Sequence, residues 1–483
     1  MDKKNCVNGI ESKKKRTGKN MKADKNRIGH HRDSDEKKIP KGGKSDRKKS
    51  ADGLQDGRRK NTQKRSVERN GFRKDAQKPE AGKRQRTDGG RISGKGTAGE
   101  KICPAMKKCG GCSLLKMSYA EQLKQKEDFV RKELKGIIKP EPIIGMEDPW
   151  HYRNKVHASF ARKKDGSIVS GIYEEGTHRL VPVEDCLIQD ERANRIVRDL
   201  CGLFESFKIK IYNEDTGYGL VRHVLIRTGH ASGEVMVVLV CVSPVFPSKR
   251  NFVDALRKLH PEVTTVVLNV NDRRTSMVLG KRDIVLYGKG HIEDQLCGCT
   301  FAVSPQSFYQ VNPVQTEILY RKAIEFAGLG GTERVLDAYC GTGTIGLIAA
   351  ESAGEVVGVE LNPDAVKNAV SNARRNDRKN IRFVQEDAGE FMQKMAAERE
   401  AVDVVLMDPP RAGSDEAFLS SLVTLAPERV IYISCNPVTL ARDLRYLGKH
   451  GYRVRKAVPV DMFPWTAPEH VETVALLSRK HPQ

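Results

Sequence analysis

The chain has 483 residues, with 85 Lys+Arg against 62 Asp+Glu, a net charge of +23 and 38% hydrophobic residues. That length leaves room for two or three domains and excludes a single small fold. No run approaches the roughly 20 apolar residues that span a bilayer, and the opening MDKKNCVNGIESKKKRTGKN lacks an apolar signal core, so a cytoplasmic protein without a membrane partner is expected.

The charge is uneven along the chain. Residues 1–100 hold 32 Lys+Arg and 14 Asp+Glu, so +18 of the +23 lies there and only +5 in the other 383 residues. Just ten residues of that stretch are Val, Ile, Leu, Met, Phe, Trp or Tyr, too few to offset the entropy of ordering, which predicts a disordered basic tail over 1–100. Such a polycation suits nucleic-acid phosphates, where it releases counterions; a solubilising extension is the plainer reading.

Eleven cysteines without a secretory signal argue for reduced thiols, metal ligands or a nucleophile rather than a disulfide framework. Cys103, Cys109 and Cys112 stand together, and Cys186 follows 74 positions after Cys112. Four thiolates hold either tetrahedral zinc or an iron-sulfur cluster, and the spacing does not choose between them or unliganded thiols. The next stretch, SYAEQLKQKEDFVRKELKGI, places Leu123, Phe129 and Leu134 near helical spacing and predicts one helix.

Between about Pro140 and Thr300, short β-rich runs such as VLIRTG, EVMVVLVCV and TTVVLNVN predict a mainly antiparallel, mixed α+β domain. Within it, His151-Tyr152-Arg153-Asn154-Lys155-Val156-His157 mixes cations with aromatics, a combination that clamps phosphates and stacks unpaired bases. An ordinary strand with a basic face is the alternative.

From Phe301 onward apolar runs alternate with helical stretches, the pattern of a parallel sheet covered on both faces. The expected organisation is therefore a tail over 1–100, an iron-sulfur or zinc and RNA-binding domain over 101–300, and a Rossmann-like α/β domain over 301–483. After RVLDAYC comes Gly341-Thr342-Gly343-Thr344-Ile345-Gly346, and Glu360 follows 19 residues after Gly341. The glycines allow a tight turn, and the carboxylate can accept a ribose diol, as in a nicotinamide dehydrogenase. Asp337 ahead of the loop and Asp408-Pro409-Pro410-Arg411 after a later strand shift the reading towards an S-adenosylmethionine (SAM) methyltransferase, and Asp387 is expected near the adenine.

RVIYI leads into Ser434-Cys435-Asn436-Pro437, which sets a thiol at the carboxyl end of a parallel strand, where open α/β sheets bind ligands. A helix start after Asn-Pro is expected to lower its pKa below about 8.5. Further on, Phe463-Pro464-Trp465-Thr466-Ala467-Pro468-Glu469-His470-Val471-Glu472 offers two carboxylates for general-base work.

Taken in order, DAYCGTGTIGL, GVELNP, MDPPRAG, ISCNP and DMFP followed by HVET resemble the TrmA/RumA family of RNA uracil-C5 methyltransferases. The resemblance, over about 101–480, implies that Cys435 attacks uracil C6, that SAM donates a methyl to C5, and that Glu472 removes the C5 proton. It further implies that Gln310, Tyr339, Gly341, Glu360 and Asp408 line the SAM pocket and that Cys103, Cys109, Cys112 and Cys186 hold a [4Fe-4S] cluster. Relatives write a shorter FPxTxHxE; the two additional residues here keep Glu469 as the rival base. The cysteine motif resembles the 23S rRNA 5-methyluridine branch, which makes 23S rRNA the expected partner and tRNA the alternative; a monomer is expected. A nicotinamide oxidoreductase and a non-catalytic assembly factor are the readings from other classes.

Overall fold

The computed structural model describes residues 103–174, 177, 179–273 and 277–480, and the basic tail expected over 1–100 lies outside them. Helix α1 (Met106–Cys109) precedes α2 (Tyr119–Glu133). A reciprocal cap starts α2: the Ser118 hydroxyl accepts from the Glu121 N–H, and the Glu121 carboxylate accepts from the Ser118 N–H. Its buried positions are Gln122, Lys126 and Val130, not the Leu123 and Phe129 that the hydrophobic spacing suggests. Those two apolar side chains are only half-buried, because the polar pair is needed inward to hold a loop described below.

The central region runs β1 (Lys155–Arg162), β2 (Ile168–Tyr173), β3 (Leu180–Pro182), α3 (Glu191–Ser206), β4 (Val221–Thr228), β5 (Val235–Cys241), α4 (Lys249–Leu259), β6 (Val263–Val270) and β7 (Arg282–Tyr287). Its strands form a seven-stranded sheet in the order β3-β2-β1-β4-β5-β6-β7, antiparallel except for the β5–β6 pair. Every residue of β5 is buried: Val237 and Leu239 face Ile196, Leu200 and Phe252 of the helices, while Met236, Val238 and Val240 face the opposite core. That alternation is the period of a strand covered on both sides.

The opposite core begins with the hairpin β8 (Ile292–Leu296) and β9 (Cys299–Val303). Cys297 and Gly298 both have positive φ, as a two-residue hairpin turn requires, so the tight Cys-Gly-Cys is a turn. The hairpin shares its core with Leu319 and Ala323, so residue 300 falls inside a unit that packs towards the C-terminal layer.

That layer contains α5 (Pro313–Ala327), β10 (Arg334–Ala338), α6 (Thr344–Ala349), β11 (Glu355–Glu360), α7 (Pro363–Arg375), β12 (Ile381–Gln385), α8 (Ala388–Ala397), β13 (Val404–Met407), α9 (Glu416–Leu425), β14 (Arg429–Ser434), α10 (Pro437–Lys449), β15 (Tyr452–Val460) and β16 (Glu472–Arg479). The sheet order is β12-β11-β10-β13-β14-β16-β15, parallel through β14, with β16 antiparallel between β14 and β15. This is the expected Rossmann-like α/β architecture. Strand order reverses between β10 and β13, which opens a crevice at the carboxyl ends. Val130 and Leu134 belong to the same core as Leu444 and Tyr452, so α2 packs with the C-terminal layer although it precedes the central sheet in sequence. Among the described residues, no helix is long and apolar enough to cross a membrane.

Candidate active site

A cavity of about 830 Å³ occupies the crevice. Its floor is the glycine turn after β10. Asp337, 1% exposed, accepts from the Gly346 N–H at 2.9 Å, and a Cβ at Gly346 would stand 2.6 Å from the Asp337 Oδ2, so only glycine allows that bond. Burial pushes the Asp337 carboxyl up to about 8 despite this hydrogen bond. Tyr339 enters the turn at φ 63°, a left-handed conformation for a non-glycine residue, and its ring lies 4.8 Å from that of Phe418.

Glu360 closes the first wall. Its carboxylate accepts from the Gly341 N–H at 3.1 Å and the Asn362 N–H at 2.8 Å, which fixes an acceptor at the end of β11. Gln310, Tyr339, Gly341, Glu360 and Asp408 all line this one cavity. Asp387 does not: its carboxylate caps α8, accepting from the Gly389 and Glu390 N–H groups. The adenine role expected for it therefore has no support in the cavity lining. Tyr320, a buried residue of α5 that the sequence did not single out, also lines the cavity and makes a side-chain hydrogen bond to Gln310.

Cys435 and Glu472 meet through strand register. β14 and β16 pair with Ser434 opposite Thr473, so the next step sets Cys435 beside Glu472, and both line the cavity. Glu472 is 4% exposed, and its Oε2 has no hydrogen-bond partner. Glu469 is exposed and lies outside the cavity lining.

The expected lowering of the thiol pKa does not occur. Cys435 is pushed up to about 12, first by burial, then by Glu472 and Asp408, with Arg411 acting in the opposite direction. Burial, reinforced by two nearby carboxyls, outweighs any effect of the helix start. Those carboxyls are themselves pushed up: Asp408 to about 7 by burial, and Glu472 upward by burial and then by Asp408. The group therefore favours protonated forms, and a cation entering the cavity would draw it towards thiolate and carboxylates. The sulfonium of SAM is such a cation.

The loop leading to Glu472 is held from outside the sheet. The buried Lys126 Nζ donates to Asp461 Oδ1 at 2.6 Å, to the Phe463 carbonyl at 2.8 Å and to the His470 carbonyl at 3.2 Å. Gln122 accepts from the Trp465 N–H at 2.7 Å, and Trp465 stacks on Trp150 at 4.0 Å. Trp465 also packs with Cys112, Cys186 and Tyr152, which brings the cysteine segment against the same loop.

Cys103, Cys109, Cys112 and Cys186 come into electrostatic reach of one another: Cys112 is pushed up to about 12 by burial, then by Cys186, Cys109 and Cys103. They do not form a closed site. Among the described residues, no group of three or more His, Cys, Asp or Glu side chains is placed to hold a metal ion. Burial and mutual repulsion oppose bringing four thiolates together without a cation between them.

The sequence profile of the tRNA (uracil-5-)-methyltransferase family matches residues 118–480. An uncharacterized RNA methyltransferase of Halalkalibacterium halodurans is 42% identical over 387 residues, covering 79% of this chain and 84% of that one. Another, from Caldanaerobacter subterraneus, is 44% identical over 385 residues, covering 78% and 84%. The crystal structure of the Pyrococcus abyssi tRNA (uracil-54, C5)-methyltransferase with S-adenosyl-L-homocysteine superposes with a TM-score of 0.65 at 28% identity, covering 76% of this chain and 85% of that one.

Proposed function

We propose that this chain, which belongs to the tRNA (uracil-5-)-methyltransferase family of SAM-dependent RNA uracil-C5 methyltransferases, converts uridine to 5-methyluridine in 23S ribosomal RNA. The observation that carries the chemistry is the placing of the Cys435 thiol beside the Glu472 carboxyl, whose Oε2 accepts no hydrogen bond, in the wall of the glycine-turn cavity. Uracil C5 is a weak nucleophile until a thiolate bonds to C6 and its ring electrons collect at C5 as an enolate. Bound SAM supplies an electrophilic methyl group. C5 then carries both methyl and hydrogen; Glu472 takes that proton, the C5–C6 double bond reforms, and the C6–S bond breaks to release Cys435. Asp408, Glu360 and Gln310 orient the donor. A uracil stacked in a helix cannot reach this depth, so the target base leaves its stack. Phe308, 70% exposed at the cavity wall, offers a ring for a splayed base.

On the likeness of the cysteine motif to the family's cluster site, Cys103, Cys109, Cys112 and Cys186 are read as ligands of a [4Fe-4S] cluster rather than of zinc. The cluster would brace the loop of Trp465 rather than take part in the reaction, and iron and sulfide analysis of the intact protein tests it. The cysteine motif favours the rRNA substrate; tRNA, the substrate named for the Pyrococcus abyssi enzyme, is the second reading. Mass-spectrometric mapping of 5-methyluridine in rRNA and tRNA from cells with and without the protein decides. The proposal expects a 23S site to lose its methyl group; loss confined to tRNA would overturn the rRNA assignment.

A further inference from the structure

A second cavity, of about 800 Å³, lies at the far end of α10. Arg445 and Lys449 of α10, Arg453 and Arg455 of β15, and Lys480 after β16 line it, and no carboxylate does. Elsewhere on the surface exposed cations are commonly paired, as Arg131, Arg321, Lys367 and Lys394 are. Among the described residues these five enter no ion pair. Arg445 reaches the Glu133 carbonyl, Arg455 the Ser478 hydroxyl and Lys480 the Gly448 carbonyl. The floor is apolar, formed by Ile137, Ile138 and Tyr452.

Two ordinary explanations cover parts of this trough. Cations near a helix C-terminus complement its dipole, and cations on an edge strand such as β15 discourage strand pairing. Neither calls for three separate segments to converge five cations on one concave surface with no anion among them. Unopposed like charges at close quarters repel, and a concave cationic surface is where a polyanion gains most by displacing its counterions. The family's substrate supplies that polyanion.

α10 connects the two cavities. It begins just after Cys435 and runs 13 residues, about 20 Å at the helical rise. An RNA whose target base occupies the catalytic cavity has its flanking phosphates within reach of this distance.

We propose that the trough of Arg445, Lys449, Arg453, Arg455 and Lys480 binds the phosphodiester backbone of the substrate RNA some 20 Å from the reacting base. The proposal rests on the RNA-methyltransferase reading for its ligand but not on the catalytic roles of Cys435 and Glu472. Contacts of this kind add affinity and salt dependence and carry little sequence information.

The test uses the full chain and a fluorescent 40-nucleotide polyuridine, titrated by anisotropy across a range of salt. R445Q/R453Q/R455Q is expected to bind roughly tenfold more weakly near physiological salt, with the slope of log K against log salt reduced by about 2, the value for three phosphate contacts on a single strand. R445K/R453K/R455K, which keeps the charge, should retain the wild-type slope. K449Q/K480Q gives an independent pair from the same trough and should reduce the slope by about 1.4. Unchanged SAM affinity and thermal midpoint establish that each variant is folded. Ultraviolet crosslinking of 4-thiouridine-substituted polyuridine should mark peptides within 445–455. Wild-type slope and affinity in both neutralised variants would overturn the proposal, as would the outcome for an acidic protein ligand, in which purified polyuridine binding is indifferent to the substitutions. Because the titration measures binding alone, it still reads the trough if the protein transfers no methyl group to RNA, a result that would count against the proposed function instead.

Discussion

The two residues on which the proposed chemistry turns, Cys435 and Glu472, are neighbours by strand register. Glu472 is buried in the cavity wall with its Oε2 free of hydrogen bonds, whereas Glu469 is exposed and outside the cavity lining. Replacing a general base costs about 10²–10⁴-fold in rate. E472Q should therefore lose turnover by that factor while accumulating a covalent RNA complex, and E469Q should stay within a few-fold of wild type; single-turnover methyl transfer with gel analysis reads both. The thiol makes a second, pH-dependent prediction. Asp408 is pushed up to about 7, so it is largely neutral in mild acid and largely charged in alkali, where its charge opposes thiolate formation. Alkylation of Cys435 in the SAM-free protein should accelerate in D408N more at pH ~9 than at pH ~6; an equal effect at both would show that the carboxylate charge does not act on the sulfur. Sequence reasoning found Cys435 because strand, thiol and Asn-Pro turn are contiguous in the chain. It misjudged the direction of the pKa shift because the thiol is buried by the fold and the opposing carboxyls arrive from the end of β13 and from β16, far away in sequence. Tyr320 was invisible for a similar reason: in the helical run of α5 it reads as one more core aromatic.

At the scale of elements, the alternating strands and helices from β10 to β14 were legible because parallel strands are long apolar runs with glycine or Asn-Pro punctuation at their ends. α2 was legible as a helix, but its inward face only in part. Hydrophobic spacing pointed to Leu123, Phe129 and Leu134; Leu134 is buried, but Leu123 and Phe129 are only half-buried, and Gln122 and Lys126 are turned in to fasten the loop that leads to the proposed base. Burying an ammonium is tolerable only because Asp461 and two carbonyls receive its protons. K126M should consequently cost about 3–5 kcal/mol in chemical denaturation, since it leaves the buried Asp461 carboxylate without its cation and with only the Tyr119 hydroxyl donating to it, and K126M/D461L should recover most of that loss. A K126M protein as stable as wild type would refute the anchoring role. The same anchoring gives the cysteine segment a route to the catalytic loop, because Trp465 packs on Cys112 and Cys186 on one side while its N–H is held by Gln122.

For the whole molecule, the domain sequence read from composition differs from the packing in space. The N-terminal helix and the β8–β9 hairpin both join the C-terminal core, so the chain leaves the catalytic layer for the central sheet and then returns to it. That arrangement leaves one large crevice in which the glycine turn, Asp408, Cys435 and Glu472 face the same space. The account requires the sulfur of Cys435 to bond to a uracil ring there, and an RNA substrate carrying 5-fluorouridine tests this most directly. Fluorine at C5 cannot leave as a proton, so the reaction should stop after methyl transfer, with the RNA joined to the protein. With SAM present, wild-type protein is expected to give a denaturation-stable adduct whose modified peptide contains Cys435 and a methylated fluorouracil, and C435A is expected to give none. No adduct with an RNA that the protein otherwise methylates, or an adduct that persists in C435A, would contradict the account.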